Sequence, residues 1–268
     1  DRAGVDAADT TPLDSAAVDP SPLDQERIDK AEREALESIS HGAVVSFGGI
    51  TTERVANFVT NALLTRSLGA TVYGLYAFAW QLGYILLMFA PLGSTATLVK
   101  YIPAAGSDAE RGRIAGLGYA TTVVMSLLLA AGLWVGAAAI NAATLDAPRF
   151  PGLLRIMAVG IPAIALIRMH TFLFRAVEAV NDQVTAQFLA QPGLTFLAVA
   201  AALGIGFAVE GVLLAIVAAM VLLAVVLAPI AIRRTGVRPT LRGSGGEARR
   251  FYNHAGPTAL TGVSMLLR

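Results

Sequence analysis

Polar side chains recur along one apolar segment near the start of the chain, and their spacing suits the binding of a ligand. They follow one another at steps of three or four residues, which places them along one side of a helix. The members of this stripe are Ser46, Gly49, Glu53, Asn57 and Thr60. Arg54 and Asn61 flank the stripe. A carboxylate, two amides, two hydroxyls and a nearby guanidinium are therefore available to a polar or anionic group.

Two smaller sets of polar residues interrupt later apolar segments. Gln187 and Gln191 are four residues apart and begin a shorter stripe. Amides of this kind are typical of hydrogen bonds between helices. Arg168 lies inside another apolar segment, with Arg175 seven residues further on. These arginines either extend to lipid phosphates or bind a phosphate of a substrate on the inner side.

The composition indicates a membrane protein. Of the 268 residues, 55% are hydrophobic and 15% are charged, and the mean hydropathy is +0.64. A soluble domain rarely has this balance. The net charge of +1 hides an asymmetry, because residues 1–40 hold 11 acidic and four basic side chains, whereas the remainder holds eight acidic and 16 basic ones. There are no cysteines, so disulfides and thiolate metal sites are excluded.

The hydrophobic pattern divides the chain into four regions. Residues 1–40 are predicted to form an acidic disordered tail and an amphipathic lead-in, which either lies on the membrane surface or is a solvated helix. Residues 41–232 carry runs long enough to cross a bilayer, which takes roughly 20 helical residues. Residues 233–250 form a basic linker. Residues 251–268 start a seventh run too short to cross, so we expect a truncated helix and a longer natural protein. The six predicted transmembrane helices cover about 43–68, 73–99, 114–140, 153–174, 184–209 and 212–232.

The predicted fold is therefore an all-α membrane protein with a six-helix bundle. A Glu53–Arg54 pair in a spanning helix is costly in lipid and should face a protein interior or a water-filled cavity. We interpret it as part of a polar cavity, with Arg54 attracting an anionic group and Glu53 tuning it. In the alternative, both residues pair with neighbours in a seam between helices. The candidate substrate-binding residues of the cavity are Ser46, Glu53, Arg54, Asn57, Asn61, Arg168, Gln187 and Gln191.

Lysine and arginine counts predict the orientation. With the N-terminus inside, the inner side carries 11 basic residues and the outer side three. An excess of this kind favours a cytoplasmic N-terminus and a cytoplasmic linker at 233–250. The predicted location is the cell membrane, with multiple spans. We expect the turn before the sixth span at Glu210–Gly211.

Several chemistries have no support in the sequence. There is no GxxxxGK phosphate loop and no His–Glu metal motif, so we expect no cofactor, no metal and no enzymatic activity. The basic linker would attract nucleic acid in a soluble protein. Beside a span it indicates a membrane surface instead, so membrane lipids and not nucleic acid are the expected contacts.

The segment from His41 to Pro103 resembles the first two helices of polysaccharide-type flippases, which belong to the multidrug/oligosaccharidyl-lipid/polysaccharide exporter superfamily. Small residues open the first helix. The turn reads Arg66-x-Leu68-Gly69-x-x-x-Tyr73-Gly74-x-Tyr76, with Gly93 late in the second helix and the exit Lys100-Tyr101-Ile102-Pro103. The Glu210–Gly211 turn and Pro257 after the basic linker fit the same layout. The resemblance covers roughly residues 38–268, the N-terminal half of such a protein.

The resemblance implies two six-helix bundles around a central cavity that moves a lipid-linked sugar to the outer leaflet. It implies a polyprenyl- or dolichyl-linked sugar as substrate, and glycosyltransferases of the same pathway as possible partners. Members commonly place cationic side chains in the cavity for the carrier phosphate, and Arg54 is the position here that matches that role. Glu53 beside it departs from the family pattern.

Two alternatives to a flippase remain open. A cation-coupled multidrug or small-metabolite antiporter of the same superfamily would need acidic residues in the bundle, and only Glu53 qualifies. A membrane subunit of a glycan polymerase or glycosyltransferase would need catalytic acids on a long outer loop or soluble domain. The predicted outer loops are short, which argues against the second alternative.

Overall fold

The computed structural model describes residues 22–243, together with 246, 248–249, 251–253 and 255. The chain divides into two compact units, residues 1–43 and 44–268. The acidic stretch 1–21 lies outside the described residues. Of the predicted seventh helix, 251–253 and 255 are helical, and residues 256–268 lie outside the described part.

Every regular element in the described part of the chain is helical. A π-helical turn, Thr185–Ala190, joins α6 to α7 and makes one continuous stretch of them. The α-helices are α1 (Pro22–Leu68), α2 (Ala70–Phe89), α3 (Ser94–Ala104), α4 (Asp108–Thr144), α5 (Phe150–Ala176), α6 (Val180–Val184), α7 (Gln191–Ile205) and α8 (Val209–Thr235).

Five helical stretches in the described residues are long and apolar enough to cross a membrane. They are Ala70–Phe89, Asp108–Thr144, Phe150–Ala176, Val180–Ile205 and Val209–Thr235. They correspond to predicted spans two to six. The first predicted span is the second half of α1, which does not reach the same apolarity because of its hydroxyl, amide and charged residues. Its passage through the membrane stays a prediction.

The second span is not the unbroken helix predicted over 73–99. α2 ends at Phe89 and α3 begins at Ser94. Between them Pro91 lacks a backbone N–H, and Leu92 and Gly93 have φ values of 42° and 75°, a region that glycine enters readily. The N–H of Ser94 donates to the carbonyl of Pro91 at 2.8 Å, which closes the turn. The apolarity of the run hid this break.

The turn expected at Glu210–Gly211 lies earlier in the chain. α7 ends at Ile205, and the next residue, Gly206, has a φ of 88°. The N–H of Phe207 donates to the carbonyl of Ala202 at 2.9 Å, which is a glycine-dependent helix end. α8 already starts at Val209. Glu210 therefore lies in the first helical turn, where a carboxylate complements the helix dipole, and it faces Arg149 at 3.9 Å.

Two predicted loops are much shorter than expected. α3 continues to Ala104, and α4 begins at Asp108, where the hydroxyl of Ser107 accepts from the N–H of Glu110 at 3.2 Å. A serine in this position caps a helix and allows it to start inside a polar segment. After α5, only residues 177–179 separate Ala176 from α6.

α5 forms the centre of the second unit, and glycines on the surrounding helices allow close approach to it. A β-carbon at Gly83 of α2 would lie 2.5 Å from the side chain of Met157 on α5. A β-carbon at Gly160 of α5 itself would lie 3.0 Å from Val217 on α8. Small residues at such crossings are typical of helix packing in membranes, where shape and not water drives association. Most of α5 is consequently buried.

The segment after α8 folds back onto the start of α4. We call residues 237–241 the return segment. The N–H of Thr240 donates to the carbonyl of Gly112 at 2.9 Å, and Val237 is buried. A β-carbon at Gly112 would lie 2.6 Å from the carbonyl oxygen of Arg238, and one at Gly116 would collide with the backbone of Thr240. Gly112 and Gly116, one turn apart on α4, thus form the surface on which the return segment packs.

We predict that Gly116→Ala releases the return segment. The new methyl group would meet backbone atoms that cannot rotate away, and overpacking of this kind costs about 1–3 kcal/mol. Trypsin should then cleave the purified protein faster after Arg242, which is followed by Gly243. Gly132→Ala on the same helix is the matched control, since its β-carbon would enter open space. Equal cleavage of both variants would contradict the proposed packing of the return segment on Gly116.

Candidate functional site

A cavity of about 470 Å³ lies beside α5, walled by α1, α2 and the stretch from α6 to α7. Its lining combines one carboxylate, two guanidinium groups, three amides and several aromatic rings, although most of these residues belong to membrane-spanning stretches. The lining residues are Glu53, Tyr84, Ile167, Arg168, Thr171, Phe172, Arg175, Gln183, Gln187, Phe188 and Gln191.

α5 supplies the cationic wall. Arg168, Thr171 and Arg175 follow at steps of three and four residues, so they share one face of the helix. The two arginines are separated by roughly 10 Å of helix rise. The hydroxyl of Thr171 donates to the carbonyl of Arg168 at 2.7 Å, so it is already satisfied by its own helix. The cavity therefore presents two guanidinium groups, one of them well inside the span.

A tyrosine from α2 positions the inner arginine. The guanidinium carbon of Arg168 lies 4.7 Å from the centre of the Tyr84 ring. A cation over an aromatic face is stabilised by about 0.5–2 kcal/mol, depending on how far it is desolvated. The Tyr84 ring covers one face of the guanidinium group. The N–H groups of the guanidinium point outward in the guanidinium's own plane. They stay suited to a bidentate contact with a phosphate.

The π-helical turn aligns the amide wall. Gln183, Gln187 and Gln191 are spaced by four residues, and in a regular α-helix each such step turns the side chain by about 40°. A π-helical turn has more residues per turn, which reduces that drift. Pro192 follows directly and removes one backbone donor. The three amides consequently all line the cavity.

α1 contributes a carboxylate because of how it packs. A β-carbon at Gly49 would lie 2.8 Å from Val184 and 3.0 Å from Phe188, so the two helices touch closely at this point. One turn along, Glu53 is half-buried and lines the cavity. Further on, Thr60 and Leu64 are buried. The packed face of α1 thus runs from Gly49 through Glu53 to Leu64.

The structure brings together four of the eight predicted site residues, namely Glu53, Arg168, Gln187 and Gln191. The other four do not line the cavity. Arg54 and Asn57 are exposed, and Ser46 is half-buried. Asn61 accepts a hydrogen bond from the hydroxyl of Tyr73 at 3.2 Å, which ties α1 to α2. A residue next to Glu53 is turned about 100° around the helix, which explains the position of Arg54. Substrate contact by any of these residues stays a prediction.

The cavity also contains residues that were not among the predicted site. Arg175 was considered with Arg168 as a phosphate contact but was not among the eight candidates. Thr171 lies between them at helical spacing, and Gln183 precedes Gln187 by four residues, so extension of each pattern would have found both. Tyr84 had no such signal because it comes from a different helix. Among the described residues, no group of three His, Asp or Glu side chains is arranged to hold a metal ion.

We predict that the cavity is open to water. Because the chain has no cysteine, Gln187→Cys introduces a single thiol, and it should react with a water-soluble maleimide in intact membranes, since thiolate formation needs a polar environment. Leu197→Cys on α7 is the control: Leu197 is 62% exposed in the structure and lies among the apolar residues of a span, so it should react only after denaturation. Equal protection of both thiols would exclude a hydrated cavity.

Comparison with known proteins gives the chain a family. It matches the family model described as polysaccharide biosynthesis protein over residues 39–255, which includes every residue that lines the cavity. No curated protein and no solved structure matches it. The match covers most of the chain and confirms the resemblance seen in the sequence. The chain belongs to the polysaccharide biosynthesis protein family and is a multi-pass membrane protein.

Proposed function

We propose that this chain serves in a flippase that moves a lipid-linked oligosaccharide or polysaccharide precursor across the cytoplasmic membrane by alternating access. The observation that carries the proposal is the polar cavity beside α5, which is lined by two arginines of α5 and three glutamines of the stretch from α6 to α7.

The lining suits the chemistry of such a substrate. A sugar head group cannot cross about 30 Å of hydrocarbon unaided, because its hydroxyl groups would lose their water partners. Glutamine amides both donate and accept hydrogen bonds, so they can replace that water. Arg168 and Arg175 offer planar donors to the phosphate or pyrophosphate that links the sugar to its polyprenyl or dolichyl carrier.

The same lining suits transport better than catalysis. Translocation breaks no bond and needs two access states around one site. Two irregular backbone segments lie on the helices that wall the cavity: the break at 90–93 and the π-helical turn. Such segments are where helices bend in membranes when neighbours satisfy the freed backbone groups. We assign the opening and closing motion to them.

The runner-up is a cation-coupled antiporter of multidrug or small-metabolite type. Its support is Glu53, a carboxylate that lines the cavity. A coupling cation would share that space with Arg168 and Arg175, and like charges oppose it. A glycan polymerase or glycosyltransferase subunit would need paired catalytic acids, whereas Glu53 is the single acid among the described residues that line this cavity.

The remaining parts of the proposal rest on the sequence. The distribution of Lys and Arg favours a cytoplasmic N-terminus, and the substrate would reach the cavity from glycosyltransferases of the same pathway on that side. Among the cavity residues, Arg175 lies closest to the cytoplasmic end of α5, so it would meet the phosphate first and pass it to Arg168.

We predict that Arg168→Ala in the complete protein abolishes most surface glycan and causes lipid-linked sugar to accumulate on the cytoplasmic side. Loss of a charge-assisted hydrogen bond should weaken substrate binding about ten- to hundredfold. The assay is extraction of lipid-linked sugars and determination of their leaflet.

Two matched variants sharpen this test. Arg155→Ala removes an exposed arginine from the same helix, outside the cavity lining, and should leave transport unchanged. Arg54→Ala compares Arg54, the phosphate-binding residue that the sequence favours, with Arg168, the arginine that lines the cavity. A normal amount of surface glycan in the Arg168→Ala variant would show that the substrate does not pass through the cavity. Unchanged lipid-linked sugars together with raised sensitivity to toxic cations would favour the antiporter.

We also predict that a reporter enzyme fused after Arg242 lies in the cytoplasm, because the basic segment that follows α8 should stay inside. A reporter fused within the loop 145–149 is the paired control and should lie outside. Reversal of the two signals would overturn the proposed orientation.

A further inference from the structure

A second cavity lies on the opposite side of α5. It has a volume of about 350 Å³, within the usual range of roughly 300–1,000 Å³ for ligand pockets. Its lining residues are Tyr119, Leu166, His170, Ala224, Val225, Ala228, Ile232 and Pro239. None of them lines the polar cavity. Arg168 and His170 are two residues apart, so they point to nearly opposite sides of the helix.

The chemistry of this groove is apolar. Its two polar side groups, the hydroxyl of Tyr119 and Nδ1 of His170, lie 2.6 Å apart and hydrogen-bond to each other. They are therefore satisfied without a ligand. The remaining lining is aliphatic. A hydrocarbon chain fits such a surface, whereas a sugar would leave its hydroxyl groups unpaired there.

The groove runs along α8. Val225, Ala228 and Ile232 are spaced by three and four residues, so they form a single row about 10 Å long. The row opens to the outside of the bundle, since Val225 is 65% exposed. A chain lying in it would be parallel to the helices, as the acyl chains of a bilayer are.

The lining residues at one end of the groove have arginines as their sequence neighbours. Arg233 follows Ile232, Arg238 precedes Pro239, and both arginines are exposed. Arg234 is already engaged, 3.7 Å from Asp182. The return segment, held on Gly112 and Gly116, keeps Pro239 and its neighbouring arginine at this end. Basic clusters beside spanning helices recognise anionic lipid head groups.

We infer that this groove binds an anionic phospholipid, with an acyl chain along α8 and its phosphate at Arg233 and Arg238. The inference does not depend on the proposed transport activity. It assigns the groove to a resident lipid of the membrane and leaves the transported substrate to the polar cavity.

The test is a binding titration by native mass spectrometry on the purified full chain in a neutral detergent. Phosphatidylglycerol should bind more tightly than phosphatidylcholine of the same acyl composition. Arg233→Gln and Arg238→Gln should each weaken phosphatidylglycerol binding about fivefold and leave phosphatidylcholine unchanged. Equal binding of both lipids to the native chain, or no change in either variant, would overturn the inference.

A groove-filling pair tests where the acyl chain lies. Ala228→Phe should reduce retention of both lipids by filling the row, whereas Val226→Phe, at a neighbouring exposed position outside the lining, should not. If Ala228→Phe fails to fold, the two exposed arginine variants still decide the question. Selective displacement of phosphatidylglycerol by a polyprenyl phosphate would overturn the inference and assign the groove to the tail of the substrate.

Discussion

Close approach of helices to α5 is the constraint on which the rest of the structure depends. Helices in a bilayer gain no hydrophobic energy by leaving lipid for each other, so they associate through shape and polar contacts. Gly83, Gly118 and Gly160 supply that shape, because each leaves room for a side chain from the facing helix. α5 is buried for this reason, and every other feature is arranged around it.

The central position of α5 separates two environments. On one side, Arg168 lies under the ring of Tyr84 and faces the amides of the stretch from α6 to α7. On the other side, His170 bonds to Tyr119 at the base of an apolar groove. A charge inside a span needs water or partners, whereas an apolar groove next to lipid needs neither. One helix can therefore serve a polar substrate and a hydrocarbon chain without mixing them.

Two irregular backbone segments belong to or adjoin helices that wall the polar cavity. The break at 90–93 ends α2, one wall of the cavity, and the π-helical turn lies within another wall. Irregular backbone is tolerated at membrane depth only where protein or a water-filled cavity satisfies it. The two segments give these walls places to bend.

The sequence alone determined the helical class, five of the spans, the family and the spacing of Arg168, Gln187 and Gln191, because these depend on composition and on periodicity within one helix. It did not determine the break at 90–93, which a purely apolar run conceals. Nor did it determine which side of α1 is packed. Periodicity defines the angles between residues of one helix but not the rotation of that helix against its neighbours. Only the tertiary contact of Gly49 with Val184 and Phe188 turned Glu53 into the cavity and left Arg54 outside it.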